Sequence, residues 1–404
     1  MNHALCVLIT CRELAVRAGS QLYTRDVAEA LRELGHSPVV YSPRLGEVAA
    51  EMRARGVAVI DDLDRLGGPP DVIHGQHHLE AMAALLRFPG VPALYVCHGW
   101  LPWHEAPPRF PSLLQYVAVD TLRRDRLVLE HAIPEERVAV LPNFVDLDRF
   151  RPRPPLPPRP GRALLLSNQA TAHNFTREVE RACSASGLEL TVAGAALGLP
   201  TSRPEELLAS FDLVFARGRA ALEAMAVGAA VVLCDLEGCG LLVDTANFGQ
   251  LRDLNFGLGA LRPPVAAERL QQEIARYDPA EAQRVRDRVR GEAGRREAVA
   301  RLVDLYRELR AAAPDLAGAE HDRRCLAAGS RYVSWLSPHL EELEARWETA
   351  ASGRAEAESR LAATRADLES LRRSPFFRLR ARLHGVRPLV AAYRAVRGRD
   401  RGPR

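Results

Sequence analysis

The stretch DLVFARGRAALEAMAVGAAVVLCD spans residues 212–235 and contains two kinds of local pattern. An apolar run at 212–216 predicts a buried strand, and a turn at Gly218 follows it. A short helix then ends at Gly228, because glycine readily adopts the left-handed backbone at a helix C-terminus. The apolar run 229–235 predicts a second buried strand. Two buried strands joined by a helix are typical of a parallel sheet covered by helices, so the stretch predicts an α/β fold.

The same alternation extends outward from this stretch. Before the proline-rich segment RPRPPLPPRP at 151–160, apolar runs predict seven strands, at 4–10, 37–42, 57–60, 71–75, 93–98, 116–120 and 137–143. After that segment they predict strands at 162–168, 188–194, 212–216 and 229–235, with helices at about 175–186, 204–210, 219–227, 265–277 and 280–311. Proline continues neither a helix nor a central strand, so 151–160 is predicted to link two doubly wound domains, 1–150 and 161–311. Ligands of such sheets bind in the cleft at the carboxyl ends of the strands.

Composition excludes several classes of protein. The chain has 404 residues, of which 47% are hydrophobic and 26% are charged, as in a globular protein of two domains. Its apolar runs are shorter than the roughly 20 residues of a membrane-spanning helix, and its N-terminus resembles a first strand rather than a signal peptide. We therefore expect a cytoplasmic protein.

The basic residues narrow the chemistry further. All 55 of them are arginine, which excludes a Schiff-base lysine, a lysine-anchored pyridoxal enzyme and a P-loop nucleotidase. No G-x-G-x-x-G follows a strand and no G-x-S-x-G occurs, which argues against a dinucleotide oxidoreductase and a serine hydrolase. The seven cysteines are scattered without a C-x-x-C pair, and we expect them to be reduced and mainly buried.

The last part of the chain has a different pattern. Leucine and other small or apolar residues recur from Leu336 to Leu371 with alternating spacings of four and three, and Arg354 and Thr364 fill two positions of the same register. This heptad pattern predicts either a coiled-coil homodimer or one long helix folded back on the body, over 335–373. The following segment, 374–404, is rich in arginine interleaved with apolar residues, which is typical of a helix on an anionic membrane surface. A solvated tail is the alternative, and nucleic acid is a weaker one because nothing else in the chain resembles a nucleic-acid module.

Groups that suit a nucleotide lie within the stretch that predicts the fold. The backbone amides at Gly218 and Arg219 would lie at the positive end of a helix dipole, which favours a diphosphate. Glu223 follows one turn into the helix, where a carboxylate can accept hydrogen bonds from a ribose diol. The alternative is that Glu223 is an ordinary, partly buried helix residue and that Arg217 and Arg219 are solvated.

Two further motifs contain residue types that bind metals. The motif HGQHH brings His74, His77 and His78 together, but no further ligand follows at a recognisable spacing. We interpret these histidines as lining the cleft or the surface. The motif DDLD at 61–64 lies between amphipathic stretches and predicts a turn with a helix cap. The sequence therefore predicts no metal and no cofactor.

Four segments resemble one family in their order and spacing. They are AGSQLYTRDVAEALRELGH at 18–36, VPALYVCHG at 91–99, RVAVLPNFVDLDRFRP at 137–152 and LEAMAVG at 222–228. Together they resemble the GT-B glycosyltransferases of the retaining family 4 type, over about residues 4–310. The resemblance implies two Rossmann-like domains facing a cleft, with the acceptor on the first and a nucleotide-sugar donor on the second. It also implies retaining transfer to an acceptor, without a bound metal. We expect that acceptor to be a glycan or a lipid-linked molecule, because the basic tail indicates a membrane surface.

The resemblance also implies roles for single residues. Gly19 and Ser20 would let backbone amides approach the donor phosphate, and Glu223 would bind the nucleotide ribose. His98 matches the family's histidine that contacts the transferred sugar and helps to stabilise charge as the bond breaks. A lone histidine is more often structural, but Gly99 after it and its position at a strand end favour the catalytic role.

The chain departs from the family at three positions. The first of the family's two helix-motif glutamates falls on Phe215, and its phosphate-binding arginine and lysine fall on Asn168 and His173. We expect Arg217 and Arg219, assisted by His173, to neutralise the diphosphate instead. These departures leave two alternatives open: a catalytically silent GT-B protein that binds a nucleotide or glycan, and a nucleotide-sugar epimerase.

Overall fold

A computed structural model describes residues 3–99, 103–194, 203–312 and 316–375. The chain forms two compact units, Met1–Gly329 and Ser330–Arg404. The first unit contains two separate sheets, each covered by helices. This architecture confirms the predicted α/β fold with two doubly wound domains.

Among the described residues, the first sheet has seven strands: β1 (Cys6–Thr10), β2 (Ser37–Tyr41), β3 (Ala58–Ile60), β4 (Val72–Gly75), β5 (Ala93–Cys97), β6 (Leu113–Ala118) and β7 (Val138–Val140). The strands are parallel and lie in the order β3-β2-β1-β4-β5-β6-β7. The helices interleaved with them are α1 (Gly19–Glu33), α2 (Glu47–Ala54), α3 (His78–Arg87) and α4 (Thr121–Asp125). The strand order reverses between β1 and β4, so the loops that follow these strands border a crevice.

The second sheet has the order β12-β11-β10-β8-β9. Its strands are β8 (Arg162–Leu166), β9 (Glu189–Ala193), β10 (Leu213–Ala216), β11 (Ala230–Asp235) and β12 (Gly238–Leu242). The helices that follow are α5 (Thr176–Ala185), α6 (Pro204–Leu208), α7 (Gly218–Val227), α8 (Phe248–Asp253), α9 (Ala267–Ile274) and α10 (Pro279–Glu292). Strand β12 was not predicted, because its sequence GCGLL contains two glycines and little strand propensity. It forms because a short hairpin turn folds it antiparallel against β11, with Cys239 opposite Cys234.

The predicted helix 280–311 is broken in the structure. Helix α10 ends at Glu292, and α11 (Arg295–Ala311) begins after Gly294, whose extended backbone pairs with Val145. The apolar face of α11 joins the core of the first sheet rather than that of the second. The last helix of the predicted second domain, 161–311, therefore packs in the core of the first domain.

Tyr306 of α11 illustrates this return to the first domain. Its side chain is fully buried, and its hydroxyl lies 2.6 Å from Nδ1 of His74 on β4. Burial lowers the pKa of His74 to about 3, so this histidine is neutral at pH 7.

A single helix, α12 (Ala319–Arg373), covers the predicted heptad region and starts 16 residues before the predicted boundary at 335. Several heptad residues are exposed, among them Leu340, Trp347 and Leu361. None of the helices in the described ranges is both long enough and apolar enough to cross a membrane. The predicted basic tail, 374–404, lies outside the described residues except for its first two positions.

Candidate functional site

A cavity of about 400 Å³ lies between the two sheets of the first unit, at the carboxyl ends of their strands. Eight of the nine site residues named from the sequence line it: Gly19, Ser20, His98, Asn168, Arg217, Gly218, Arg219 and Glu223. The ninth, His173, is exposed and lies outside this lining, with its Nδ1 accepting a hydrogen bond from Arg177 at 3.1 Å. A second cavity of about 360 Å³ shares Asn168 and Glu223 with the first and continues to Gly194 and Arg149.

Two helices begin at the larger cavity. Helix α1 begins at Gly19 and α7 at Gly218, and the residue before each has an extended backbone and provides no side-chain cap. Gly218 has φ +57°, a conformation that favours glycine, and its N–H donates to the carbonyl of Phe256 at 2.7 Å. A Cβ added to Gly19 would meet no atom within 4 Å, so the space beside this residue is open. Because the Gly218 N–H is already bonded, the N–H groups that follow it in the first turn of α7, together with those of α1, are the ones that suit an anionic ligand.

Within the described ranges, four arginines line this cavity, and each has a carboxylate partner. Arg17 pairs with Glu51, and Arg123 pairs with Asp120 at 2.7 Å. Arg217 pairs with the carboxylate of Asp235, the last residue of β11, and more distantly with Glu237. The fourth, Arg219, lies between two carboxylates, as described below. Arg217 and Arg219, which were predicted to neutralise a diphosphate, thus line the cavity, and both side chains already make ion pairs.

Arg219 connects the two domains. Its Nε lies 2.8 Å from Oε1 of Glu223, and its guanidinium also contacts the carboxylate of Asp26 on α1. Asp26 binds Arg25 as well, at 2.7 Å, and all four side chains are largely buried. Although burial acts in the opposite direction, Arg219 and Arg25 hold the pKa of Asp26 below its usual range. No local pattern in the sequence marks Asp26, because its partner Arg219 lies 193 residues away along the chain.

The carboxylate of Glu223 is already partly engaged within the protein. Burial raises its pKa, against the opposing effect of Arg219. Because Arg219 holds Oε1, the second carboxylate oxygen is the one left for a ligand. Phe215, at the position of the missing family glutamate, is completely buried in β10 and does not line the cavity.

His98 follows β5 at the edge of the larger cavity. Burial lowers its pKa to about 3, so the ring is neutral at pH 7. Its backbone N–H donates to Oε2 of Glu105 at 3.1 Å, and its ring packs edge to face on Tyr23 with 4.5 Å between centroids. Its Nε2 lies 2.7 Å from Oε1 of Gln76. Gln76 was overlooked, although it lies at the end of a strand within the HGQHH motif.

The other members of this motif are buried rather than lining the cleft or the surface. His74, His77 and His78 are each at most 1% exposed, because they belong to β4 and to the start of α3 in the interior of the domain. His77 also lies close to two residues that were not predicted from the sequence, His104 and Glu105, whose ligand atoms lie within 4.8 Å of its own.

His77, His104 and Glu105 are residue types that bind metals, but the hydrogen bonds of the two histidine rings do not suit metal binding. Nδ1 of His77 accepts the backbone N–H of Arg12 at 3.0 Å, and Nδ1 of His104 accepts from the Arg12 guanidinium at 3.1 Å. A neutral imidazole that accepts at Nδ1 carries its proton on Nε2, so neither ring has a lone pair left for a metal.

The predicted turn at DDLD is confirmed, since Asp62 accepts the N–H of Asp64 at 2.9 Å and caps the short helical turn Leu63–Arg65.

Residues 17–149 match the family described as Glycosyltransferase Family 4. The chain has the GT-B fold, and this part of it is similar to that family. The GT-B chain is similar to a glycosyltransferase from Rickettsia africae, with 16% identity, a TM-score of 0.52, and coverage of 76% of this chain and 98% of that one. It is also similar to the Anabaena protein HepE, whose crystal structure contains UDP and glucose, with 14% identity and a TM-score of 0.52 over 75% of this chain and 100% of that one. Likeness at this level of identity shows the fold. Comparison with curated protein sequences gives no significant match.

Proposed function

We propose that the protein transfers a sugar from a nucleotide-sugar donor to a glycan or lipid-linked acceptor, with retention of configuration and without a bound metal. The observation that carries this proposal is the larger cavity, which gathers two uncapped helix N-termini, Glu223 and His98 in a chain with the GT-B fold. The match of residues 17–149 to glycosyltransferase family 4 supports the same proposal. Each of these features serves a different part of the donor.

The diphosphate would lie between the N-termini of α1 and α7. Helix N-termini bind anions through free N–H groups and through the positive end of the helix dipole. The arginines that line the cavity are already neutralised by carboxylates, so the backbone amides supply the uncompensated positive potential in our proposal. Arg217, whose side chain is 26% exposed, is the one best placed to turn from Asp235 toward a departing phosphate.

The nucleoside would extend from Glu223 into the adjoining cavity of about 360 Å³. With Oε1 held by Arg219, the remaining oxygen of Glu223 can accept both hydroxyls of a ribose. The sugar would then lie near His98, a neutral side chain that can contact it without adding charge. In this arrangement the anomeric bond breaks while the β-phosphate leaves, and the acceptor hydroxyl attacks from the same face and passes its proton to the departing phosphate oxygen.

One observation favours a second function. Because all four arginines of the larger cavity are paired with carboxylates and Phe215 replaces a glutamate, the site has fewer free charges than the resemblance implies. A site of this kind could bind a nucleotide or glycan without catalysing transfer. Nucleotide binding without turnover of any nucleotide sugar would support this second function.

Replacing Glu223 with alanine is expected to weaken nucleoside diphosphate binding by about 1 to 3 kcal/mol, because a charged acceptor of the ribose hydroxyls is lost. Calorimetry with a panel of nucleoside diphosphates and nucleotide sugars, starting with UDP and run in EDTA, measures this change. Glu180→Ala is the matched control, since Glu180 is an exposed helix glutamate outside both cavities. Equal affinity of the Glu223→Ala variant and the wild type would remove Glu223 from the donor site.

We further propose that the C-terminal unit makes a homodimer through the heptad residues of 336–371 and reaches the cytoplasmic face of a membrane through 374–404. The exposure of Leu340, Trp347 and Leu361 supports the first part, because apolar heptad residues on a long helix pack well against a second copy. The arginine-rich sequence supports the second part.

A chain that ends at Gly329, the last residue of the first unit, is expected to sediment as a monomer and to leave anionic vesicles unbound, while the full chain sediments as a dimer and binds them. Analytical ultracentrifugation and vesicle co-sedimentation measure the two properties separately. If the full-length protein sediments as a monomer, the proposed dimer is contradicted. If it does not co-sediment with anionic vesicles, the proposed membrane contact is contradicted.

A further inference from the structure

We propose that Gln76 and Thr24 are positioning residues that hold His98 as the tautomer protonated on Nε2. This inference rests on the proposed function for its effect on turnover, whereas the tautomer itself is a property of the free protein. It concerns a chain of hydrogen bonds that joins the first turn of α1 to His98.

The chain begins at the backbone of Ser20, whose carbonyl accepts the Thr24 hydroxyl at 2.8 Å. The hydroxyl oxygen of Thr24 in turn accepts from the side-chain amide of Gln76 at 2.9 Å. The amide oxygen of Gln76 then lies 2.7 Å from Nε2 of His98. Thr24 and Gln76 are completely buried, so no water competes for these positions.

The direction of each bond follows from the one before it. The Thr24 hydroxyl has a single hydrogen, and the carbonyl of Ser20 accepts it, so Thr24 can only accept from Gln76. Gln76 must therefore turn its NH₂ group toward Thr24 and its oxygen toward His98. An amide oxygen only accepts, so Nε2 of His98 carries the hydrogen.

The backbone of Gln76 is held as firmly as its side chain. Its N–H donates to the Thr10 hydroxyl at 2.9 Å, and its carbonyl accepts from the same hydroxyl at 2.9 Å. The amide is thus fixed at the end of β4, next to the strand that carries His98. The side-chain amide of Gln76 can therefore reverse its orientation only by rotating about its own bonds, because the backbone contacts hold the rest of the residue in place.

This arrangement leaves Nδ1 of His98 without a proton. Within the described part of the chain, no side chain or backbone group is seen to bind Nδ1, and His98 borders the cavity. His98 is thereby set to accept a hydrogen bond from a ligand at Nδ1 and cannot act there as an acid. If the side-chain amide of Gln76 flipped, its NH₂ group would face Nε2 of His98. Nδ1 would then carry the proton and become a donor.

The test compares Thr24→Val with Thr24→Ser in the full chain. Valine has the shape of threonine but lacks the hydroxyl, so it frees the Gln76 amide to turn, whereas serine keeps the hydroxyl. Nitrogen-15 NMR of the histidine rings, with the His98 signals assigned by their loss in His98→Gln, reports which nitrogen is protonated. We expect Nε2–H in the wild type and in Thr24→Ser, and a mixture of tautomers in Thr24→Val.

Turnover provides the second readout. We expect Thr24→Val to lower kcat about tenfold at unchanged nucleotide affinity, and Thr24→Ser to restore it. A wild-type ring protonated on Nδ1, or a Thr24→Val protein with unchanged ring signals, would overturn the inference whether or not any sugar is transferred. If the ring signals are as expected but the protein turns over no nucleotide sugar, the tautomer assignment is supported and only the proposed function is contradicted.

Discussion

Replacing Arg219 with methionine is expected to destabilise the first unit by about 3 to 5 kcal/mol, because removing one partner leaves buried carboxylates without compensation. Glu223 would lose its observed side-chain partner, and Asp26 would keep only Arg25. Denaturant unfolding followed by tryptophan fluorescence and far-UV circular dichroism measures the loss. Methionine fills most of the volume of the arginine stem, so the change reports the charge more than the packing.

The matched control for this variant is Arg181→Met. Arg181 pairs with Glu178 on the surface of α5, with side-chain exposures of 61% and 31%, and such pairs contribute about 0 to 1 kcal/mol. Adding Glu223→Gln to Arg219→Met is expected to recover part of the lost stability, because it removes the buried charge that has lost its observed partner. An Arg219→Met protein as stable as the wild type would show that the cross-domain ion pairs contribute nothing.

Replacing His98 with alanine is expected to lower turnover by about 100-fold to 1,000-fold, the range found when one group that stabilises a transition state is removed. Nucleotide affinity should stay within about twofold, because the proposed nucleotide contacts lie on α1, α7 and Glu223 rather than on His98. Steady-state rates with the nucleotide sugar that binds best, together with calorimetry, separate the two effects.

His131→Ala serves as the control for this prediction. His131 is a half-buried histidine that does not line the cavity, and we expect its removal to leave turnover unchanged. If His98→Ala retained full turnover, the catalytic role of His98 would be wrong, and the sugar would have to be placed elsewhere in the cavity.

Most of the fold followed from local patterns. Apolar runs predicted eleven of the twelve strands in the described ranges, because burial on both faces of a parallel sheet leaves a continuous apolar signature in the sequence. Strand β12 lacked that signature. The break at Gly294 was also missed, since the helical pattern on both of its sides is uninterrupted and a pairing with the distant Val145 decides the backbone there.

The sequence by itself determined the α/β fold, the two sheets and the loops that border the cavity, because hydrophobic periodicity and strand ends are local properties of the chain. Only the tertiary structure decided the state of the charged and titratable groups. Arg219 meets Asp26 across 193 residues, and Tyr306 meets His74 across 232. Charge compensation, tautomer and pKa depend on what lies within a few ångströms in space, and that neighbourhood exists only after the two domains have folded together.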